Sequence, residues 1–169
     1  MYKKHHTNII RVKEIDLNNT KPFRGGFIIY TVVNGVMYFG LGLDRDTHDL
    51  TDFGGGIKDD PNCVLGAIRE FQEESLDIFE GINFEAVKDC LAVVNKFNLI
   101  IFIHINEHPN EISRRFNEKH ELAKDLNPEV CGITWLTKME FRQSISEQGI
   151  IFVRVKNFLN EAGEFLNYL

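Results

Sequence analysis

The chain has 169 residues, 43% of them hydrophobic and 26% charged, with a formal net charge of −6. That length supports one domain with a full core, the composition excludes a disordered chain, and the acidic balance argues against coating nucleic acid through bulk charge. Cys63, Cys90 and Cys131 stand apart with no C-x-x-C spacing, which fits reduced thiols in a cytoplasmic setting and not a disulfide framework or a zinc site.

Residues 1–24 read as a polar N-terminal extension. Met1-Tyr2-Lys3-Lys4-His5-His6 is basic but leads into no apolar signal segment, and Ile9-Ile10 starts a short strand. Residues 27–33 and 36–43 are rich in aromatic and β-branched side chains and flank Asn34-Gly35, a two-residue hairpin signal. A short strand over 50–53 delivers Gly54-Gly55-Gly56, a loop with little side chain between a ligand and the backbone. Asp60-Pro61 then reads as an N-cap followed by the first helical residue.

The helix that follows is two-faced. At 100° per residue Glu70, Glu73, Glu74 and Asp77 cluster on one side, with Cys63 and Gly66 near the same stripe. Val64, Leu65, Ile68, Phe71 and Ser75 form the opposite, core side. Beyond it, 90–95 and 99–105 read as a strand pair joined through Lys96-Phe97-Asn98, and the second is far too short to span a membrane. Residues 106–128 form a polar insertion with a helical stretch over 112–126. A strand over 130–136 and an amphipathic helix over 152–166 close an α/β order of elements.

Three glutamates packed into one helix turn destabilise it by a few tenths of a kcal/mol per pair unless a cation offsets them. A cluster of hard oxygen ligands is what Mg2+ or Mn2+ takes, with water and substrate phosphates completing its shell.

Residues 55–77 resemble the Nudix box, G-x5-E-x7-R-E-U-x-E-E-x-G-U. Gly55, Arg69-Glu70, Phe71 and Glu73-Glu74 match it in register. Pro61 stands at the first glutamate, Leu76 at the late glycine and Asp77 at the last aliphatic position. Asp60 or Asp59 is placed to substitute for the lost glutamate, in the family a supporting partner of the arginine. Loss of the glycine suggests a helix without the usual left-handed cap, running on towards Gly81. Glu129-Val130 with Trp135 resembles, more weakly, a late strand of the same family.

The resemblance implies a Nudix-type α/β/α sandwich with a mixed sheet, in a single domain. It also implies a hydrolase of phosphoric anhydrides that cleaves a nucleoside diphosphate linked to another group, by water attack at phosphorus. Gly55, Glu70, Glu73 and Glu74 would hold Mg2+ or Mn2+, and Arg69 would orient the glutamates. The base is Glu73 or Glu74, or an acid of the insertion, Glu118 or Glu121. Lys58, Arg114 and Arg115 are the candidates for substrate phosphate. Phe53, Phe97 and Trp135 are aromatics able to stack on a base, with core packing favoured for Trp135.

A small nucleotide is the expected substrate. The downstream proline of ADP-ribose-type members is missing between Pro61 and Pro109, and no coenzyme A signature is visible. A capped RNA 5′ end and a diphosphoinositol polyphosphate are the substrate alternatives. The competing class is a non-catalytic module of the same fold that binds nucleotide or RNA, for which Pro61 and Leu76 are the support.

Overall fold

In the computed structural model, residues 6–147 and 149–169 are described; the Met1-Tyr2-Lys3-Lys4-His5 part of the basic start lies outside them. Strands β1 (Asn8–Arg11), β2 (Arg24–Val33), β3 (Val36–Asp44), β4 (Leu50–Thr51), β5 (Phe53–Gly56), β6 (Leu91–Val94), β7 (Asn98–His104) and β8 (Val130–Thr137) form one sheet. The helices are α1 (Cys63–Glu74), α2 (Phe84–Val87), α3 (Pro109–Leu122), α4 (Lys138–Ser146) and α5 (Val153–Ala162). The path through the sheet is β1-β6-β7-β2-β3-β4, with β5 also paired to β2 and β8 to β3. The β2–β7 pair is parallel and the other pairs are antiparallel, so the sheet is mixed.

Period-2 alternation divides the core. Phe27 and Ile29 of β2, with Leu99, Ile101 and Ile103 of β7, face one side; Ile28, Ile100 and Phe102 face the other. The first side is covered by Val64, Ala67 and Phe71 of α1 and by Ile112 and Phe116 of α3. The second is covered by Phe141 and Ile145 of α4, Val155, Phe158 and Leu159 of α5, and Phe165 beyond it. An α/β/α sandwich results, because a sheet apolar on both faces must be covered on both.

The β2–β3 hairpin turns at Asn34 (φ 51°) and Gly35 (φ 77°), the two positive φ angles a tight hairpin requires. The N-terminal segment is more than an extension: β1 pairs with β6, and Val12 just after it is fully buried. Helix α4 has no counterpart in the expected elements. It is nucleated by Thr137, whose side chain accepts from the Glu140 N–H while the Glu140 carboxylate accepts from the Thr137 N–H. The closing helix ends at Ala162, before Gly163 at φ 69°, and a 3-10 turn (Phe165–Tyr168) follows. Among the described residues no helix is long and apolar enough to cross a membrane, and all three cysteines are free.

Candidate active site

Helix α1 starts later than the Asp60-Pro61 pair suggests. Asn62 is its N-cap, the side chain accepting from the Leu65 N–H at 3.0 Å. Asp60 is engaged elsewhere: its two carboxylate oxygens accept from Arg69 Nε at 2.8 Å and Nη2 at 2.9 Å. Arg69 also donates to Glu70 Oε1 at 2.9 Å, Glu73 Oε1 at 3.3 Å and the Gly56 carbonyl at 3.1 Å. One guanidinium thus collects three carboxylates and a carbonyl. Its hydrogen bonds hold the Asp60 carboxyl down to about 2, and the same bonds raise Arg69 itself.

The end of α1 also departs from expectation. The helix stops at Glu74 and does not run on to Gly81. Leu76 N–H donates to the Glu73 carbonyl at 3.2 Å and Asp77 N–H to the Gln72 carbonyl at 2.8 Å, the double bond pattern of a Schellman cap. Leu76 and Asp77 both take φ 56°, so a leucine occupies the left-handed position usually given to glycine. The Leu76 side chain packs against the core on this side of the sheet, which compensates for the backbone cost.

The glycine run is a strand and not a loop. Gly54, Gly55 and Gly56 pair with Gly26, Gly25 and Arg24. Side chains are absent there because others take the space: a Cβ on Gly55 would run into the Glu70 carboxylate, and one on Gly26 into that of Asp52. Glu70 is therefore pressed between α1 and the sheet, only 8% exposed, on a helix stripe expected to face outward; Cys63 and Gly66 on that stripe are buried too. Behind the glycines Arg24 clasps Asp52 through two bonds of 2.6 and 2.7 Å, with side chains 12% and 0% exposed.

These elements frame a cleft of about 370 Å³, within the range of small-molecule sites. Its lining includes Gly54–Gly56, the carboxylates of Asp44, Asp52, Glu74 and Glu129, and Arg24, Phe152 and Arg154. Glu74 has no ion pair among the described residues. Burial first, then Glu129, Glu70 and Glu73 nearby, push its carboxyl up to about 7. The donor set is all oxygen, and Glu74 within it has no ion-pair partner, which fits a hard divalent cation in kind. The side chains are not gathered on one point: among the described residues no three Asp, Glu, His or Cys groups form a ready metal cluster. Glu70 and Glu73 are turned to Arg69 instead.

The remaining expected residues lie apart from the cleft walls. Lys58 is exposed in the 57–62 segment, its N–H donating to Asp60. Arg114 is closed off by Glu111 and Glu118 at 2.9 and 2.7 Å along α3, and Arg115 pairs with Glu107. Glu118 is thereby committed to Arg114, and Glu121 to Lys124 at 3.2 Å. The helix is pinned on its inner side by Trp135, whose indole N–H donates to Ser113 Oγ at 2.8 Å, while Phe53 is fully buried. Charges at i,i+3 and i,i+4 on an exposed face find each other before they find a distant site.

Arg24, Asp52, Phe152 and Arg154 were not singled out from the sequence. The first two carry a signal: Arg24 precedes a glycine pair in β2, and Asp52 stands between Thr51 and the Phe53-Gly54-Gly55-Gly56 strand. Phe152 and Arg154 had none, since only sheet topology brings them here.

No family model matches this sequence, and no curated protein matches it. Among solved structures, a C. elegans Ap4A hydrolase aligns over 85% of this chain and 96% of its own, with 18% identity and a TM-score of 0.44. A C. elegans Ap4A hydrolase binary complex aligns over 86% and 98%, with 17% identity and a TM-score of 0.46. A Listeria monocytogenes protein assigned as a Nudix hydrolase aligns over 88% and 96%, with 14% identity and a TM-score of 0.46. Likeness at this level reaches the outline of the chain and no further.

Proposed function

We propose that this chain is a divalent-metal-dependent hydrolase of phosphoric anhydrides, acting at the cleft beside Glu74 on a small nucleotide-like molecule. The observation that carries the reading is Glu74 itself. A half-buried carboxylate with no ion pair, facing a cleft beside Glu129 and Asp44, is costly unless a cation arrives with the substrate.

Mg2+ or Mn2+, held by Glu74 with Glu70 and the Gly55 carbonyl, would supply neutralisation of the phosphate charge and polarisation of the attacked phosphorus. The chain's own residues do the rest. Arg69 fixes Glu70 against Gly55 and keeps Glu73 on the same turn, so that the acidic face is built before substrate binds. The proton of the attacking water passes to a carboxylate of the cleft, which Glu74 and Glu129 line while Glu73 pairs with Arg69. Asp60 takes the supporting role that the box pattern gives to the residue replaced by Pro61, which removes one reason to regard the box as decayed. The cleft suits a small molecule better than a capped RNA, whose backbone wants a basic track.

The test is phosphate or nucleotide release from nucleoside triphosphates, dinucleoside polyphosphates, ADP-ribose, nucleotide sugars, a capped RNA and a diphosphoinositol phosphate, with Mg2+ and with Mn2+. Metal-dependent release is expected for at least one of them, with Glu74→Gln lowering kcat by roughly 10²–10⁴-fold while the fold is retained. A silent panel with ligand binding still measurable would establish a non-catalytic module instead.

A further inference from the structure

Arg154 differs from every other arginine at the site. Arg24 is neutralised by the two bonds to Asp52, and Arg69 by Asp60, Glu70 and Glu73. Arg154 lines the same cleft and has no carboxylate at ion-pair distance among the described residues. Its recorded partner is the ring of Phe152, 5.0 Å from the guanidinium carbon to the ring centroid. The segment that carries it is fixed to the sheet: Leu50 N–H donates to the Ile150 carbonyl at 2.7 Å and Phe152 N–H to the Leu50 carbonyl at 2.8 Å. Arg154 thus stands at the cleft near a second guanidinium, and the carboxylate that acts on it, Asp52, is already committed to Arg24. Desolvation first and Arg24 second disfavour its charge there, and Asp52 favours it.

An anion supplied from outside resolves that arrangement. Resting on the anhydride-hydrolase reading, the two phosphates flanking the scissile bond belong beside Glu74, where divalent cations would offset them. Arg154 then faces whatever the substrate carries next. We infer that Arg154 binds a third phosphate of the substrate, one beyond the anhydride that is cut. The substrate class is accordingly a polyphosphate chain of three or more phosphates, and Arg154 is a specificity residue. A planar guanidinium fork is the side chain suited to grip such a group through paired oxygens.

The experiment uses two probes that cannot be hydrolysed, methylene diphosphonate with two phosphorus centres and bis-methylene triphosphate with three, titrated by calorimetry in Mg2+. Wild-type protein is expected to prefer the longer probe by about tenfold or more, the size of one charge-assisted contact of roughly 1.5 kcal/mol. Arg154→Gln should reduce that preference to under about threefold with an unchanged Tm, and Arg154→Lys should fall between the two. No preference in the wild type, a full preference in Arg154→Gln, or a lysine variant indistinguishable from the glutamine variant would overturn the inference. If Glu74→Gln abolishes hydrolysis while Arg154→Gln keeps the preference, catalysis stands and this inference falls. If the substrate panel is silent but the preference exists and is lost in Arg154→Gln, the opposite holds.

Discussion

The two ends of the acidic patch on α1 look alike in sequence and are opposites in the fold. At one end Asp60, Glu70 and Glu73 converge on Arg69, and every charge there has an answer. At the other end, one residue further along, Glu74 shares a cleft lining with Glu129 and Asp44 and has no ion pair. Asp60 is held to about 2 and Glu74 is pushed to about 7. The contrast separates scaffold from proposed site: the satisfied end sets geometry, and the unpaired end is where, on the proposed reading, a cation would bind. R-E-x-x-E-E is thus not a set of three equivalent ligands.

The contrast can be broken from either side. Arg69→Met removes the donor from the satisfied end, leaving Asp60, its side chain only 10% exposed, with the Lys58 N–H alone, and Glu70 without an ion-pair partner. It should lower stability by about 3 kcal/mol, read from the urea midpoint, whereas a variant within a few tenths of wild type would mean that the cage is ornamental. Glu74→Gln acts in the reverse direction. Because the folded-state value of Glu74 lies above its ordinary 4.5, its contribution is present below about 4.5 and is lost as pH rises through about 7. Metal-free wild type should therefore gain stability, on the order of 2 kcal/mol, between pH 7.5 and pH 4.5 relative to Glu74→Gln. Saturating Mg2+ should erase the difference; melting curves that run parallel across that window would show that Glu74 is not under strain. The smallest effect concerns the helix that carries both ends. Asn62→Ala should cost about 1 kcal/mol, and a comparable loss from Pro61→Ala would return the cap to the earlier pair.

Much of the fold is legible in the sequence because it rests on local signals. The Asn34-Gly35 turn, the paired strands and the acidic helix all follow from neighbouring residues. So does Asp60 as substitute partner for Arg69, one residue away from the position occupied by Pro61. Less legible is what depends on competition. Asp60 is a good cap on propensity, yet a bidentate bond to Arg69 outweighs one cap bond, and Asn62 takes over. Gly54-Gly55-Gly56 has the composition of a loop but meets another glycine pair edge to edge, and side chains from Glu70 and Asp52 fill the gap. Leu76 keeps a turn made for glycine because its side chain is buried enough to hold it there. Helix α4 was legible in Thr137-x-x-Glu140 and simply has a shorter apolar signal than its neighbours. The basic wall of the cleft was beyond reach, since Arg24 and Arg154 come from opposite ends of the chain.

The separation of Arg24 and Arg154 along the chain bears on how the cleft comes to exist. Strand β2 lies parallel to β7, Arg24 beside Asn98, and the segment around Ile151 closes against Leu50. Contacts of such long sequence separation form slowly, because a long loop must close before any of them is rewarded. Arg24 is among the first of the cleft residues to be synthesised and waits for nearly the whole chain before its neighbours arrive. An incomplete chain can hold the acidic helix, but it cannot hold the cleft.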